Sequence, residues 1–297
     1  MTPENNQTAL NLKIHQKVIK LMGNRFEISV VSDNENWAFE QIDKAIAEIQ
    51  RIEKLLTTFD ENSQTNLINK NAGIQPVQVD KEVFDIIIRS NRISDLTQGA
   101  FDISYGSIDK SLWNFDKNMI ALPSAETAKK MVRLINYKNI ILDANQQTVF
   151  LKNTGMRIGF GGIGKGYAAE QAKKVMQQNG VENGIVNASG DLTVWGFQPN
   201  GKPWTIGIAN PNQSNEYFSS VELTNTSIAT SGNYEKYVII DGKKYSHTIN
   251  PKTGLPIHGI KSVTVITPNA EFADAIATPI IIIGIQVGLD LLNQLHQ

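Results

Sequence analysis

Residues 157–172 read RIGFGGIGKGYAAEQA, and the class of fold turns on what those glycines do. Gly159, Gly161 and Gly164 stand in the G-x-G-x-x-G spacing. A helical pattern follows them, and then the apolar run NGIVNASG (183–190), which imitates a dinucleotide-binding unit. A true unit closes its second strand with an acidic residue that holds the ribose. Here Glu182 precedes that strand, which runs out in Asn187, Ser189, Gly190 and Asp191, so a parallel, doubly wound sheet is disfavoured. Two readings of the loop stay open. Glycines at a helix N-terminus let backbone N–H groups approach a phosphate, with Lys165 adding a charge; alternatively, they only allow tight packing at a strand-to-helix turn.

Outward from the loop, helix and strand patterns alternate. WAFEQIDKAIAEIQRIEKLLTTF (37–59) carries Phe39, Ile42, Ile46, Ile49 and Leu56 at helical spacing, just after the strand-like RFEISVVS (25–32). Further helices are expected over 83–99, ending at Gly99, over 124–135, and over 164–180, ending at Gly180. Strands are expected in WTIGIANP, SVELTNTSIATSG, YEKYVIID, KKYSHTIN and KSVTVITP. Asp241-Gly242 between two of these runs predicts a tight hairpin, whose type I′ turn needs positive φ. Consecutive strands joined this way are antiparallel. The expectation is one α+β domain over residues 17–297, with a mainly antiparallel sheet and packed helices, after a polar segment 1–16.

Composition narrows the function. The 297 residues carry 28 Lys plus Arg against 29 Asp plus Glu, a net charge of −1, so no broad basic field exists to hold nucleic acid or an anionic membrane. There is no cysteine, which removes disulfides and thiolate chemistry and leaves any metal to oxygen or imidazole ligands. The run AIATPIIIIGIQVGLDLL is broken by a proline and two glycines and reads as a buried helix and its continuation rather than a transmembrane span. The first residues, MTPENNQTALNLKIHQ, have neither the basic n-region nor the apolar h-region of a signal peptide. The expected location is cytoplasmic as the chain stands, or periplasmic or membrane-anchored if a leader has been removed.

Two further features carry chemistry. Asp274 and Thr278 are four apart in NAEFADAIATPIIIIG, so on a helix their oxygens share a face, a hard pair suited to Mg²⁺, though lone polar groups on apolar helices are more often satisfied by nearby backbone. Pro279 beside them predicts a kink. In YSHTINPKTGLPI (245–257), His247, one of four histidines, precedes a proline-glycine turn.

Read in order, GAFDISYGSI, GFGGIGKGYAAE, GIVNASGDLTVWG, SIATSGNYEKYVIIDGKKYSHTINPKTGLPI and SVTVITPNAEFADAIATP resemble the blocks of the ApbE family of FAD:protein FMN transferases, over roughly residues 20 to 290. The resemblance implies a single T-fold-like domain that binds FAD and, with Mg²⁺, attaches FMN through a phosphoester to a Thr or Ser of an acceptor flavoprotein, releasing AMP. It implies that Asp274 and Thr278 bind the metal and that Gly164 adds a backbone carbonyl. His247 is implied to be catalytic; its imidazole is the candidate base for the acceptor hydroxyl, and a cationic contact to the phosphates is the alternative role. Phe59 falls where many relatives carry a tyrosine stacked on the isoalloxazine. Gly161, Gly162, Lys165, Ser231 and Gly232 are the further flavin-nucleotide contacts expected from these blocks. Three positions depart from the family pattern: Gly159 and Asn250 each replace an aspartate, and Pro279 an alanine. Hydrolysis of FAD to FMN and AMP, and a non-catalytic FAD carrier that has lost those carboxylates, are the alternatives. A nicotinamide-dependent oxidoreductase, suggested only by the glycine spacing, ranks behind both.

Overall fold

The loop question is answered by strand order. In the computed structural model, which describes residues 11–112, 121–211, 213, 216–232, 237–246 and 248–295, the main sheet is built from six strands. These are β1 (Lys13–Leu21), β2 (Asn24–Ser32), β6 (Gly184–Ala188), β7 (Asp191–Trp195), β10 (Thr226–Gly232) and β13 (Ser262–Thr267), in the order β1-β2-β6-β7-β10-β13. Every neighbouring pair is antiparallel. No Rossmann unit is present in it. The strand preceding the glycine loop belongs to another sheet, formed by β3 (Val77–Gln78), β4 (Ile140–Asp143) and β5 (Thr148–Leu151). The run after Glu182 ends in a tight turn at Ser189 and Gly190, both at positive φ, and returns as β7.

Three helices cover one face of the main sheet: α1 (Glu35–Leu56), α5 (Gly164–Gln178) and α6 (Ala270–Ile283). Their apolar stripes meet the alternate residues Phe26, Ile28 and Val30 of β2, all fully buried, in one large core. α1 starts where Asn34 accepts from the Trp37 N–H, as an N-cap should. The opposite face is smaller. There β8 (Trp204–Ala209) and β9 (Tyr217–Leu223) form a separate two-stranded ribbon, with Trp204 packed on Val31, Leu192, Val194 and Ile228. Further helices among the described residues are α2 (Gln64–Lys70), α3 (Lys81–Leu96), α4 (Ala125–Val132) and, after Gly284, α7 (Ile285–Leu295). Among the described residues, no helix is long and apolar enough to cross a membrane.

The predicted hairpin is present. β11 (Tyr237–Ile240) and β12 (Lys243–Ser246) pair across Asp241 (φ 49°) and Gly242 (φ 74°). SVELTNTSIATSG holds two strands rather than one, divided at Asn225, which turns the chain with φ 50°. β1 takes Lys13–Gln16 from the segment read as polar; it is an edge strand exposed along most of its length, so no apolar alternation marks it. Pro279 does not end α6, which continues to Ile283.

Candidate active site

The site is assembled where α5 meets α6 across the edge of β7 and β10. Gly166 lets the two helices touch. A Cβ there would run into the Ala270 carbonyl and lie 2.7 Å from Asp274 Cβ, so only glycine fits this crossing. Two hydrogen bonds then pin it. The Gly166 N–H donates to Asp274 Oδ2 (2.9 Å), and one turn further along α5 the buried Glu170 carboxylate accepts from the Ala270 N–H (3.0 Å) at the start of α6. That second contact places a negative charge at a helix N-terminus, its favourable end.

Asp274 is thereby held with one oxygen committed and the other facing Lys165. Lys165 Nζ lies 3.1 Å from Asp274 Oδ1 and 2.6 Å from Asp191 Oδ2. Both carboxylates are buried, at 7% exposure. Burial alone would pull the ammonium down, but Asp274 and Asp191 outweigh it and hold Lys165 above its ordinary range. Asp191 is raised, chiefly by burial and then by the nearby charge of Asp274, with Lys165 opposing both. Across from them, Ser231 Oγ on β10 and Thr278 Oγ1 on α6 are hydrogen-bonded at 2.8 Å.

These groups line a cavity of about 820 Å³, together with Gly161, Gly162 and Gly232. It is shared with a second cavity of about 570 Å³ through Asn24, Gly161 and Lys165. Phe59, on the loop after α1, lines the second one with its ring 98% exposed. The structure thus brings together Gly161, Gly162, Lys165, Ser231, Gly232, Asp274 and Thr278, with Phe59 in the adjoining space. Gly164 opens α5 and is buried beside them, outside the lining of either cavity. His247 lies outside the described residues.

The two readings of the glycine loop divide by position. Gly166 is required by packing. Gly161 is not: its φ is not positive, and a Cβ there would meet nothing within 4 Å, so the open space belongs to whatever enters the cavities. Of the departures, Asn250 keeps the turn contact that an aspartate oxygen would make: its Oδ1 accepts from the Lys252 N–H (2.9 Å). Gly159 has room for a side chain, with Thr58 Cγ2 the nearest contact at 3.8 Å, and its glycine is a change of chemistry rather than a steric need. In the GAFDISYGSI block, Asp102 is structural: its carboxylate accepts from Ser104 N–H and O–H and from Tyr137 N–H.

Outside the chain itself, a family model described as the ApbE family matches residues 22–297. The chain belongs to the ApbE family. It is 32% identical over 271 residues to the FAD:protein FMN transferase of Klebsiella pneumoniae (strain 342), spanning 89% of this chain and 77% of that protein. With the FAD:protein FMN transferase of Escherichia coli (strain K12) it shares 31% identity over 271 residues, with the same coverage of each chain, 89% and 77%. The ApbE protein of Thermotoga maritima has a similar structure, with a TM-score of 0.83 at 28% identity over 96% of this chain and 91% of its own. So does the apo form of the Pseudomonas stutzeri flavinyl transferase ApbE, with a TM-score of 0.83 at 26% identity, covering 96% and 89%.

One member of this ApbE-family cavity escapes sequence reasoning. Asp191 stands just past a run that reads as the end of a strand, and its role is visible only once β7 is seen to begin there and face α5. The sequence shows Asp191 only as part of the polar ending Asn187, Ser189, Gly190 and Asp191 that argues against a dinucleotide unit, with nothing to tie it to Lys165.

Proposed function

We propose that the chain transfers FMN from FAD to a Thr or Ser hydroxyl of an acceptor flavoprotein and releases AMP. The observation that carries this reading is the pair of joined cavities in an ApbE-family chain. One is walled by an exposed aromatic ring suited to a planar isoalloxazine, and the other by a cation and hard oxygen donors suited to a pyrophosphate. In the transfer, the acceptor oxygen forms a bond to the FMN phosphorus while the bond from that phosphorus to the bridging oxygen breaks, and the bridging oxygen leaves as part of AMP. The hydroxyl proton must go to a base, and we assign that role to His247, because imidazole is the side chain whose ordinary range lies near neutrality.

The residues present fit a divalent cation of the hard type. Among the described residues no group of three or more His, Cys, Asp or Glu gathers to cage a metal, but Mg²⁺ needs only one or two carboxylates and completes its shell with water and phosphate. Asp274 and Thr278 would hold it, with the Gly164 carbonyl as a further ligand. Bound there, Mg²⁺ would neutralise charge on the pyrophosphate oxygens. Lys165 supplies a positive charge at the same cavity wall, and Gly161 leaves backbone accessible to a phosphate oxygen.

The test is the mass of an acceptor protein after incubation with this chain, FAD and Mg²⁺. A covalent FMN adduct is expected, and its yield should collapse in Asp274→Asn and His247→Ala. Free FMN released at the same rate with and without acceptor would overturn transfer in favour of hydrolysis. Intact FAD would point to a carrier.

A further inference from the structure

Lys165 and a divalent cation compete for the same atom. Asp274 Oδ2 is committed to the Gly166 N–H, which leaves Oδ1 as its free acceptor, and Lys165 Nζ sits against it at 3.1 Å. A divalent cation on that oxygen would sit next to the ammonium, and the repulsion between the two positive charges drives Lys165 off it. The Lys165 side chain is only 22% exposed and is walled by carboxylates, so an ammonium pushed off one of them is favoured to keep the other as its partner. Asp191 is placed to receive it. It already holds the shorter contact (2.6 Å), it is buried and further fixed by the Thr230 N–H, and it lines the same cavity. Asp191 and Asp274 enter from different elements, the start of β7 and the middle of α6, while Lys165 reaches both on a flexible four-carbon stem.

We propose that Asp191 is a positioning residue that draws Lys165 away from Asp274, so that Asp274 can take a divalent cation while the ammonium stays paired in the cavity. The inference rests on the metal role given to Asp274 in the proposed function. It assigns Asp191 no contact with the cation; its effect runs through Lys165. In the metal-free chain Lys165 serves as an internal counter-ion shared by two carboxylates. Without Asp191 the ammonium has Asp274 alone, and the two would lock together against the metal.

The experiment is a titration of the purified chain with Mn²⁺ alone, following loss of the free-ion electron paramagnetic resonance signal, for the native protein, D191N, K165M and the double variant. D191N should weaken Mn²⁺ binding by about tenfold, in the range seen when a group supporting a metal ligand is removed. K165M should bind Mn²⁺ more tightly than the native chain, since the competing cation is gone. In the K165M background the D191N change should lose most of its effect. Equal affinity of native and D191N protein overturns the inference, as does an undiminished D191N effect in the absence of Lys165, which would mean that Asp191 acts on the cation directly. If D191N melts far below the native chain, K165M decides by itself, because a lysine that does not compete with the metal would leave affinity unchanged or lower it. No Mn²⁺ binding by the native chain would instead sink the metal role of Asp274, and the inference with it, whatever the outcome of the FMN-transfer assay.

Discussion

Gly161 and Gly166 lie five positions apart in one glycine-rich run, yet they are there for opposite reasons. Gly166 is a contact point between helices, and Gly166→Ala should destabilise the fold by about 1–3 kcal/mol, the usual range for forcing extra atoms into a packed interior. Gly161 borders open space, so Gly161→Ala should leave stability within about 0.5 kcal/mol while weakening FAD binding. Urea unfolding of both variants beside an FAD titration separates the two; matched losses of stability would contradict the division. From the sequence, both readings of the run stood level, because spacing reports where glycines are and not what faces them. The same holds for Asn250, whose difference from aspartate matters only if its charge is used, and in the turn its oxygen is used as an acceptor.

At the level of elements, the helices are tied together by a few charged contacts beyond their apolar stripes. Glu82 on α3 accepts from Arg51 on α1 at 2.7 and 2.8 Å and from the Tyr167 hydroxyl on α5 at 2.6 Å. The Arg51 hydrogen bonds hold its carboxyl below the ordinary range, with Tyr167 adding to them against the opposing effect of burial. Because the folded pKa lies below the unfolded one, this contribution is full above the unfolded value near 4.5 and is lost as pH falls through the folded value. Glu82→Gln should therefore lower stability at neutral pH and flatten its decline on acidification. Parallel declines of native and variant protein from about pH 6 to about pH 3 would rule this out. α6 offers a second test. Pro279 sits inside it without ending it, although an interior proline costs a helix about 3 kcal/mol. Pro279→Ala should raise the unfolding free energy read from urea melts, by less than that figure because the ring is buried and its contacts are lost. The helix itself was legible from its apolar run; that it tolerates the proline depends on packing from β10, β13 and α5.

For the molecule as a whole, the decisive feature is that two cavities meet at Asn24, Gly161 and Lys165, so one extended ligand can span both. Phe59 is an almost fully exposed apolar ring that lines the second of these cavities and not the first. If it stacks on the flavin, Phe59→Ala should weaken FAD binding by about 1 kcal/mol, roughly fivefold, and leave the rate at saturating FAD near native. A fall in kcat at unchanged KM would place Phe59 in the chemistry instead. The antiparallel order of the sheet is what makes the joined space possible, since β6 and β7 turn back on each other at Ser189-Gly190 and bring Asp191 to the cavity instead of leading on to a ribose pocket.

The sequence by itself determined the local structure and the family. The amphipathic stripe of α1, the Asp241-Gly242 turn and the order of five motif blocks are all properties of neighbouring residues, readable from periodicity and spacing. Tertiary structure alone decided which of those residues share a site. Lys165 and Asp274 are separated by 109 positions, and Ser231 and Thr278 by 47, yet each pair is in hydrogen-bond contact. Helical and strand periodicities say which face of an element is buried, never what it is buried against. Only the close α5–α6 crossing at Gly166, seated on β7 and β10, converts a lysine, two aspartates and two hydroxyls from separate segments into one charged cavity.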